Sequence, residues 1–93
     1  MRVIGELTHP QLKITIFSTT TRFPVQFEDG DLAQIVRLRK GEGMETLEDV
    51  KLWVDAQLIE AVQQAFVQLR QQVRGAHQRK YKKNTNNDLP KII

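Results

Sequence analysis

The strongest constraint in this sequence is a change of hydrophobic period near Thr46. Before that residue, apolar and polar side chains alternate, as in the segments "LKITIF" and "RFPVQF". A period of two places successive side chains on opposite faces of a β-strand. After Thr46, apolar residues recur every three or four positions, which is typical of an amphipathic helix. The chain therefore divides into a strand-forming part and a helix-forming part.

The first part predicts a small antiparallel sheet. We expect four strands, near residues 1–7, 11–18, 22–28 and 32–39. Gly30 in "EDGD" supplies the positive φ that a hairpin needs, and "STTT" is a second polar turn. Because short loops join neighbouring strands, a meander in the order 1-2-3-4 is the simplest arrangement. Pro24 conflicts with it, because proline belongs at a sheet edge and the third strand of a meander is central.

The second part predicts a helical layer over one face of that sheet. Thr46 followed by Asp49 resembles a capping box. The apolar stripe comprises Val50, Val54, Leu58, Val62, Ala65, Phe66, Leu69 and Val73. The residues expected to cover the sheet are Leu58, Val62, Phe66 and Leu69, and those expected beneath them are Phe23, Val25 and Phe27. The fold class that follows is α+β, with one long or two shorter helices after the sheet.

The length of the helical part poses a problem. A single helix over residues 47–82 would be about 54 Å long, whereas a seven-residue strand covers only about 23 Å. Either the helix breaks near Asp55, which would cap a second helix, or its far half packs on another chain or stands in solvent. Trp53 lies off the stripe, which favours a break. Gly75 is a second weak point, at about 1 kcal/mol relative to alanine, and we expect fraying beyond it.

The length of 93 residues leaves room for one core. We expect a single domain over residues 1–83, with strands in 1–40 and helices in 46–83, and a disordered tail over 84–93. A chain of this size buries about 60–65% of the surface that its unfolded form exposes, so additional burial against a partner would stabilise it.

The charge is unevenly distributed along the chain. Residues 1–69 carry seven Lys or Arg against ten acids, a net charge of −3, and residues 70–93 carry seven against Asp88 alone, a net charge of +6. The candidate nucleic-acid-binding residues are Arg70, Arg74, Arg79, Lys80, Tyr81, Lys82 and Lys83. The cations could neutralise phosphates and the tyrosine could stack on an unpaired base. Alternatively, positive charge here only offsets the helix dipole and keeps the surface soluble.

Catalysis and metal binding have little support in the sequence. There is no cysteine, and His9 and His77 stand in unrelated segments. "EDGD" lacks the twelve-residue spacing of a calcium loop. We therefore predict no enzyme activity, no metal, no cofactor and no small-molecule substrate. No apolar run approaches the roughly 20 residues needed to span a bilayer, and there is no leader, so we expect a soluble, cytoplasmic protein.

The segments "GELTHPQLKITIF", "RFPVQFEDGDLAQ" and "DVKLWVDAQLIEAVQQAF" together resemble a family of short, uncharacterised proteins of Bacteroidetes-type bacteria. The resemblance covers roughly residues 2–66. It implies strands followed by a helical half, and it implies no activity. The extended basic end departs from the shorter members of that family.

Apolar side chains outside the expected core suggest an interface. Phe17 points away from Ile14 and Ile16, and Trp53 lies off the helical stripe. The candidate interface residues are Trp53, Phe17, Phe66, Leu69 and Val73. Our interpretation is a small non-enzymatic protein-interaction module that forms a homodimer or binds another protein. The alternative is a nucleic-acid-binding protein that uses its basic C-terminal segment without reading sequence.

Overall fold

A computed structural model describes residues 1–85 of the chain. The elements are β1 (Arg2–Thr8), β2 (Lys13–Ser18), β3 (Arg22–Asp29), β4 (Leu32–Arg39), α1 (Leu47–Trp53) and α2 (Ala56–Thr85). The four strands form one antiparallel sheet in the order β1-β2-β3-β4. The predicted α+β fold, with a meander followed by helices, is therefore confirmed.

Both predicted turns form, and side-chain chemistry explains each. Gly30 has φ 63°, in the left-handed region that favours glycine, and it connects β3 to β4. Between β2 and β3, the N–H of Thr19 donates to the carbonyl of Arg22 (2.9 Å). The N–H of Arg22 donates in return to Oγ1 of Thr19 (2.9 Å). A threonine hydroxyl thus satisfies a backbone group that the turn would otherwise leave unpaired.

Pro24 lies in a central strand, and the ladder adapts to it. The pairing of β2 with β3 ends at Ile16 and Val25, and Val25 is the residue that follows the proline. Pro24 itself pairs only with Arg37 of β4. Because no pairing with β2 is made at this position, the missing N–H leaves no gap in that ladder. The conflict between the proline and the meander order is resolved without an edge strand.

The helical part breaks at Asp55, which is one of the two outcomes left open by the sequence. Asp55 accepts a hydrogen bond from the N–H of Leu58 through Oδ1 (2.8 Å), so it caps α2. At the start of α1, the predicted capping box is present. Oγ1 of Thr46 accepts from the N–H of Asp49 (3.2 Å), and Oδ2 of Asp49 accepts from the N–H of Thr46 (3.0 Å).

The core lies between one sheet face and the two helices. Its buried members are Leu12, Ile14, Ile16, Phe23, Val25, Phe27, Val50, Val54, Val62 and Phe66. We call this face of the sheet the inner face. Gly5 lets α1 approach β1, because a Cβ there would stand 2.9 Å from Cδ1 of Leu47. Val62 and Phe66 cover the sheet as predicted, whereas Leu69 is 41% exposed and lies past the covered region.

Helix α2 continues through Gly75 to Thr85, so the glycine does not end the helix. The residues around it are good helix formers, and one glycine lowers helix stability by only about 1 kcal/mol. At 1.5 Å per residue, the 30 residues of α2 span about 45 Å. The helix includes residues 84 and 85 of the predicted tail, and the remainder of that tail, 86–93, lies outside the described residues.

Candidate interaction surface on α2

The two halves of α2 have different surroundings. In the packed half (residues 56–70), the side-chain amide of Gln34 donates to the carbonyl of Val62 (3.4 Å). Arg70 is the last residue of this half. Its guanidinium donates to the carbonyl of Asp29 (3.3 Å) and forms an ion pair with the carboxylate of the same residue (3.5 Å). These bonds hold α2 across the β3–β4 end of the sheet.

The projecting half (residues 71–85) follows Arg70 and continues for about 22 Å. Every residue from Val67 to Lys82 is exposed except Gly75, which is half-buried. Arg79 accounts for that shielding, because its Nη1 lies 3.3 Å from the position of a Cβ on Gly75. The projecting half therefore offers almost its entire circumference to solvent.

The apolar stripe of α2 runs from one half into the other. Val62, Phe66, Leu69 and Val73 are spaced by four, three and four residues, which places them along one line of the helix. Val62 and Phe66 are buried in the core, whereas Leu69 is 41% exposed and Val73 is 38% exposed. The stripe that packs on the sheet thus continues past the point where the sheet ends.

Charge is segregated along α2. The only acid within the helix is Glu60, and residues 61–69 carry no charge at all. From Arg70 to Thr85 all the ionic side chains are basic. Arg70, Arg74, His77 and Tyr81 repeat the spacing of four, three and four, so they share one side of the helix. Arg70 is engaged with Asp29, which leaves the cations beyond it for an external anion.

The seven candidate nucleic-acid-binding residues all lie in α2. The side chains of Arg70, Arg74, Arg79, Lys80, Tyr81 and Lys82 are exposed, and the side chain of Lys83 lies outside the part of the chain that the structure describes. They are distributed around the helix rather than gathered on one face, because at about 100° per residue Arg79 and Lys80 lie roughly 140° and 120° around the helix from Arg74. This arrangement suits contact with an extended anion better than enclosure of a small one.

The five candidate interface residues do not form one surface. Phe66 is fully buried in the core, which removes it as an interface residue of the folded chain. Trp53 is half-buried and packs against the core, and Phe17 is half-buried on the other face of the sheet. Leu69 and Val73 remain, and they are adjacent on α2. Leu52, 79% exposed on α1, and the arginines of the sheet were not among the sequence candidates, because helix packing and strand register decide their exposure.

The positions considered for catalysis show turn and cap chemistry. His9 accepts a hydrogen bond from the N–H of Gln11 through Nδ1 (3.1 Å). At the start of α1, the N–H groups of Glu45 and Thr46 lower the pKa of the half-buried capping residue Asp49. Within residues 1–85, no group of three His, Cys, Asp or Glu is placed to hold a metal ion. That the chain is not an enzyme stays a prediction.

No family model, curated protein or solved structure matches this chain. The resemblance to a Bacteroidetes-type family therefore stays a prediction, as does the cytoplasmic location. Among the described residues, no helix combines the length and apolar character needed to cross a membrane.

Proposed function

We propose that this chain is a small non-enzymatic interaction module that self-associates through α2, most simply as a homodimer. The observation that carries the proposal is the apolar stripe, which is buried at Val62 and Phe66 and exposed at Leu69 and Val73. Exposed apolar side chains that continue a packed stripe gain stability when a second surface covers them.

Packing against such a surface would stabilise the projecting half of α2. Isolated helices of fewer than about 12–15 residues are marginal in water, because most helical stability in proteins comes from tertiary packing. This half has only 15 residues after Arg70 and contains Gly75. A second copy packed along the stripe would supply the missing contacts.

The charges of α2 favour an antiparallel pair. Glu60 and the capping Asp55 lie at its start, the uncharged residues 61–69 follow, and the bases lie from Arg70 to its end. Antiparallel packing places the basic end of each helix beside the acidic start of the other, whereas parallel packing places like charges together. An uncharged segment flanked by charged ones is also the usual anatomy of a protein interface.

Small side chains on α2 allow a close approach. Ala61 and Ala65 are exposed, and a groove of about 480 Å³ runs beside the second of them. The groove is lined by Ala65, Gln68, Leu69, Gln71 and Gln72. Packed helices lie about 8–10 Å apart, with the side-chain ridges of one in the grooves of the other. A second α2 has the shape and polarity that fit this groove.

The test is the molar mass by light scattering across a concentration series. We expect the wild-type chain to reach twice the monomer mass and the L69E/V73E variant to stay monomeric, because two charges would enter the apolar stripe. V67E is the matched control, since Val67 is 54% exposed and lies off the stripe. A wild-type chain that is monomeric at every concentration would overturn self-association and leave only a foreign partner.

Nucleic-acid binding by the basic segment is the second candidate. It is favoured by the run of exposed cations after Arg70, with no acid through Thr85. Each phosphate contact releases counterions, so such binding weakens steeply as salt rises. Deleting residues 74–93 should weaken binding to a random single strand or duplex at low salt. Binding that survives the deletion unchanged would contradict this candidate.

A further inference from the structure

The sheet has a second face, opposite the helices, which we call the outer face. Its side chains alternate with those of the core. Val3 and Ile35 on this face are 55% and 45% exposed, so neither helix covers it. Phe17 lies on this face at the end of β2 and is half-buried. The outer face is thus an open surface on the side of the sheet away from α2.

One end of the outer face carries three arginines. Arg22 of β3 lies directly opposite Arg39 of β4, and Arg37 lies two residues before Arg39 on the same face. Like charges directly opposite each other destabilise a sheet. None of the three guanidinium groups has a hydrogen bond or ion pair with any residue that the structure describes. The fold therefore holds this positive charge without balancing it.

A recess opens at the same end of the sheet. It has a volume of about 480 Å³ and is lined by Thr20, Thr21, Arg22, Arg39 and Lys40. Lys40 also lines the recess, but its ammonium group turns to the inner face, where it donates to Oγ of Ser18 (2.9 Å) and to the carbonyl of Thr19 (2.6 Å) and lies 4.8 Å from the centre of the Phe23 ring. The recess is thus lined by two arginines whose guanidinium groups have no partner and by two threonines, and its lining contains no acid.

The acids of the outer face lie away from its arginines. Glu28 pairs with Lys13 across β2 and β3, six residues from Arg22, which is about 20 Å along the strand. Glu6 pairs with Thr15 and lies between these two ends. The face is therefore polarised, with positive charge at the end where β4 finishes and mixed charge at the other.

We infer that the positive end of the outer face binds the phosphate groups of a single-stranded nucleic acid. Guanidinium groups match phosphate oxygens in charge and geometry, and a bound phosphate removes the repulsion between Arg22 and Arg39. Single strands bind along positively charged surfaces on which aromatic rings stack bases, and the partly exposed ring of Phe17 lies on this face. The inference stands on the sheet alone and depends on neither proposed role of α2.

The test measures binding of a fluorescein-labelled oligothymidylate of about 15 nucleotides to the full chain by anisotropy at low salt. We expect R22Q/R39Q to weaken binding about tenfold and to reduce the slope of log K against log salt by about 1.4, since each single-strand phosphate contact contributes about 0.7. K13Q, on the same face at its other end, should stay within about twofold of wild type. The melting temperature of R22Q/R39Q should equal or exceed that of wild type.

Two further titrations make the result decisive. In a chain whose α2 carries R74Q/R79Q, the R22Q/R39Q change should still weaken binding by the same factor, which separates the sheet from the basic segment. Wild-type affinity in R22Q/R39Q, or no binding by the wild-type chain, would overturn the inference. Inorganic pyrophosphate that binds as tightly as the oligonucleotide would also overturn it, because the site would then serve a small anion.

Discussion

The two halves of α2 are continuous in the backbone and opposite in their surroundings. The packed half places Phe66 in the core and ends at the ion pair of Arg70 with Asp29. The projecting half has the same helical geometry, and its described side chains are exposed. In this chain, a residue can therefore be helical without packing against the rest of the fold. The packed half belongs to the fold, whereas the projecting half is available to a partner.

The largest expected difference between the halves comes from removing one apolar side chain in each. F66A should lower the free energy of unfolding by about 3–5 kcal/mol, because a large cavity would open in the core. V73A should change it by less than about 0.5 kcal/mol, because Val73 is exposed in the single chain. Urea titration at low protein concentration checks both. Similar losses for the two variants would show that the projecting half is packed after all.

Removing the cap of α2 should have a smaller effect, confined to the packed half. D55A leaves the N–H of Leu58 without its side-chain acceptor and should lower stability by about 1 kcal/mol. For a chain of this size, that is a fall of about 4–8 °C in the melting temperature. D31A, an exposed acid in the β3–β4 turn, is the matched control. If D55A and D31A have the same melting temperature, this hydrogen bond does not stabilise the start of α2.

A glycine replacement in the projecting half should separate helicity from stability. G75A removes a penalty of about 1 kcal/mol within the helix, and the nearest atom to the new methyl group is the mobile end of Arg79. Circular dichroism should show more helix, while the urea midpoint moves little, because this half unfolds locally. A rise of the midpoint equal to the full penalty would show that the projecting half unfolds together with the core.

Acid should produce the smallest effect, and it should act on α1 rather than on α2. The N–H groups of Glu45 and Thr46 lower the pKa of Asp49 in the folded chain. Its contribution to stability is therefore present above the ordinary pKa of about 3.9 and is lost as pH falls through the folded pKa. Melting temperatures of D49N and wild type should converge in this range. A gap between them that does not change with pH would contradict this role.

Local rules predicted much of this fold. The alternation of apolar residues gave the four strands, Gly30 marked its turn, and Asp55 marked the break between the helices. These features depend on neighbours within a few residues, so the sequence carries them directly. The position of Pro24 in a central strand was harder to predict, because the sheet tolerates a proline there only if the pairing of β2 with β3 ends before it reaches that residue.

The candidate site was less predictable, for a physical reason. Phe66 and Leu69 belong to one stripe, and only the position of the sheet edge decides that the first is buried and the second is exposed. The pairing of Arg22 with Arg39 likewise depends on the register between β3 and β4. Both are tertiary properties, which a hydrophobic period cannot supply. The alternation in "RLRK" already placed Arg37 and Arg39 on one face and was the available signal.

Amide hydrogen exchange along α2 tests the central claim most directly. At low protein concentration, we expect strong protection for residues 59–70 and rapid exchange for residues 74–85, because only the first segment is held by the core. Raising the protein concentration should protect the second segment if a second copy packs on it. Equal protection of both segments at low concentration would contradict the division of α2 into a packed half and a projecting half.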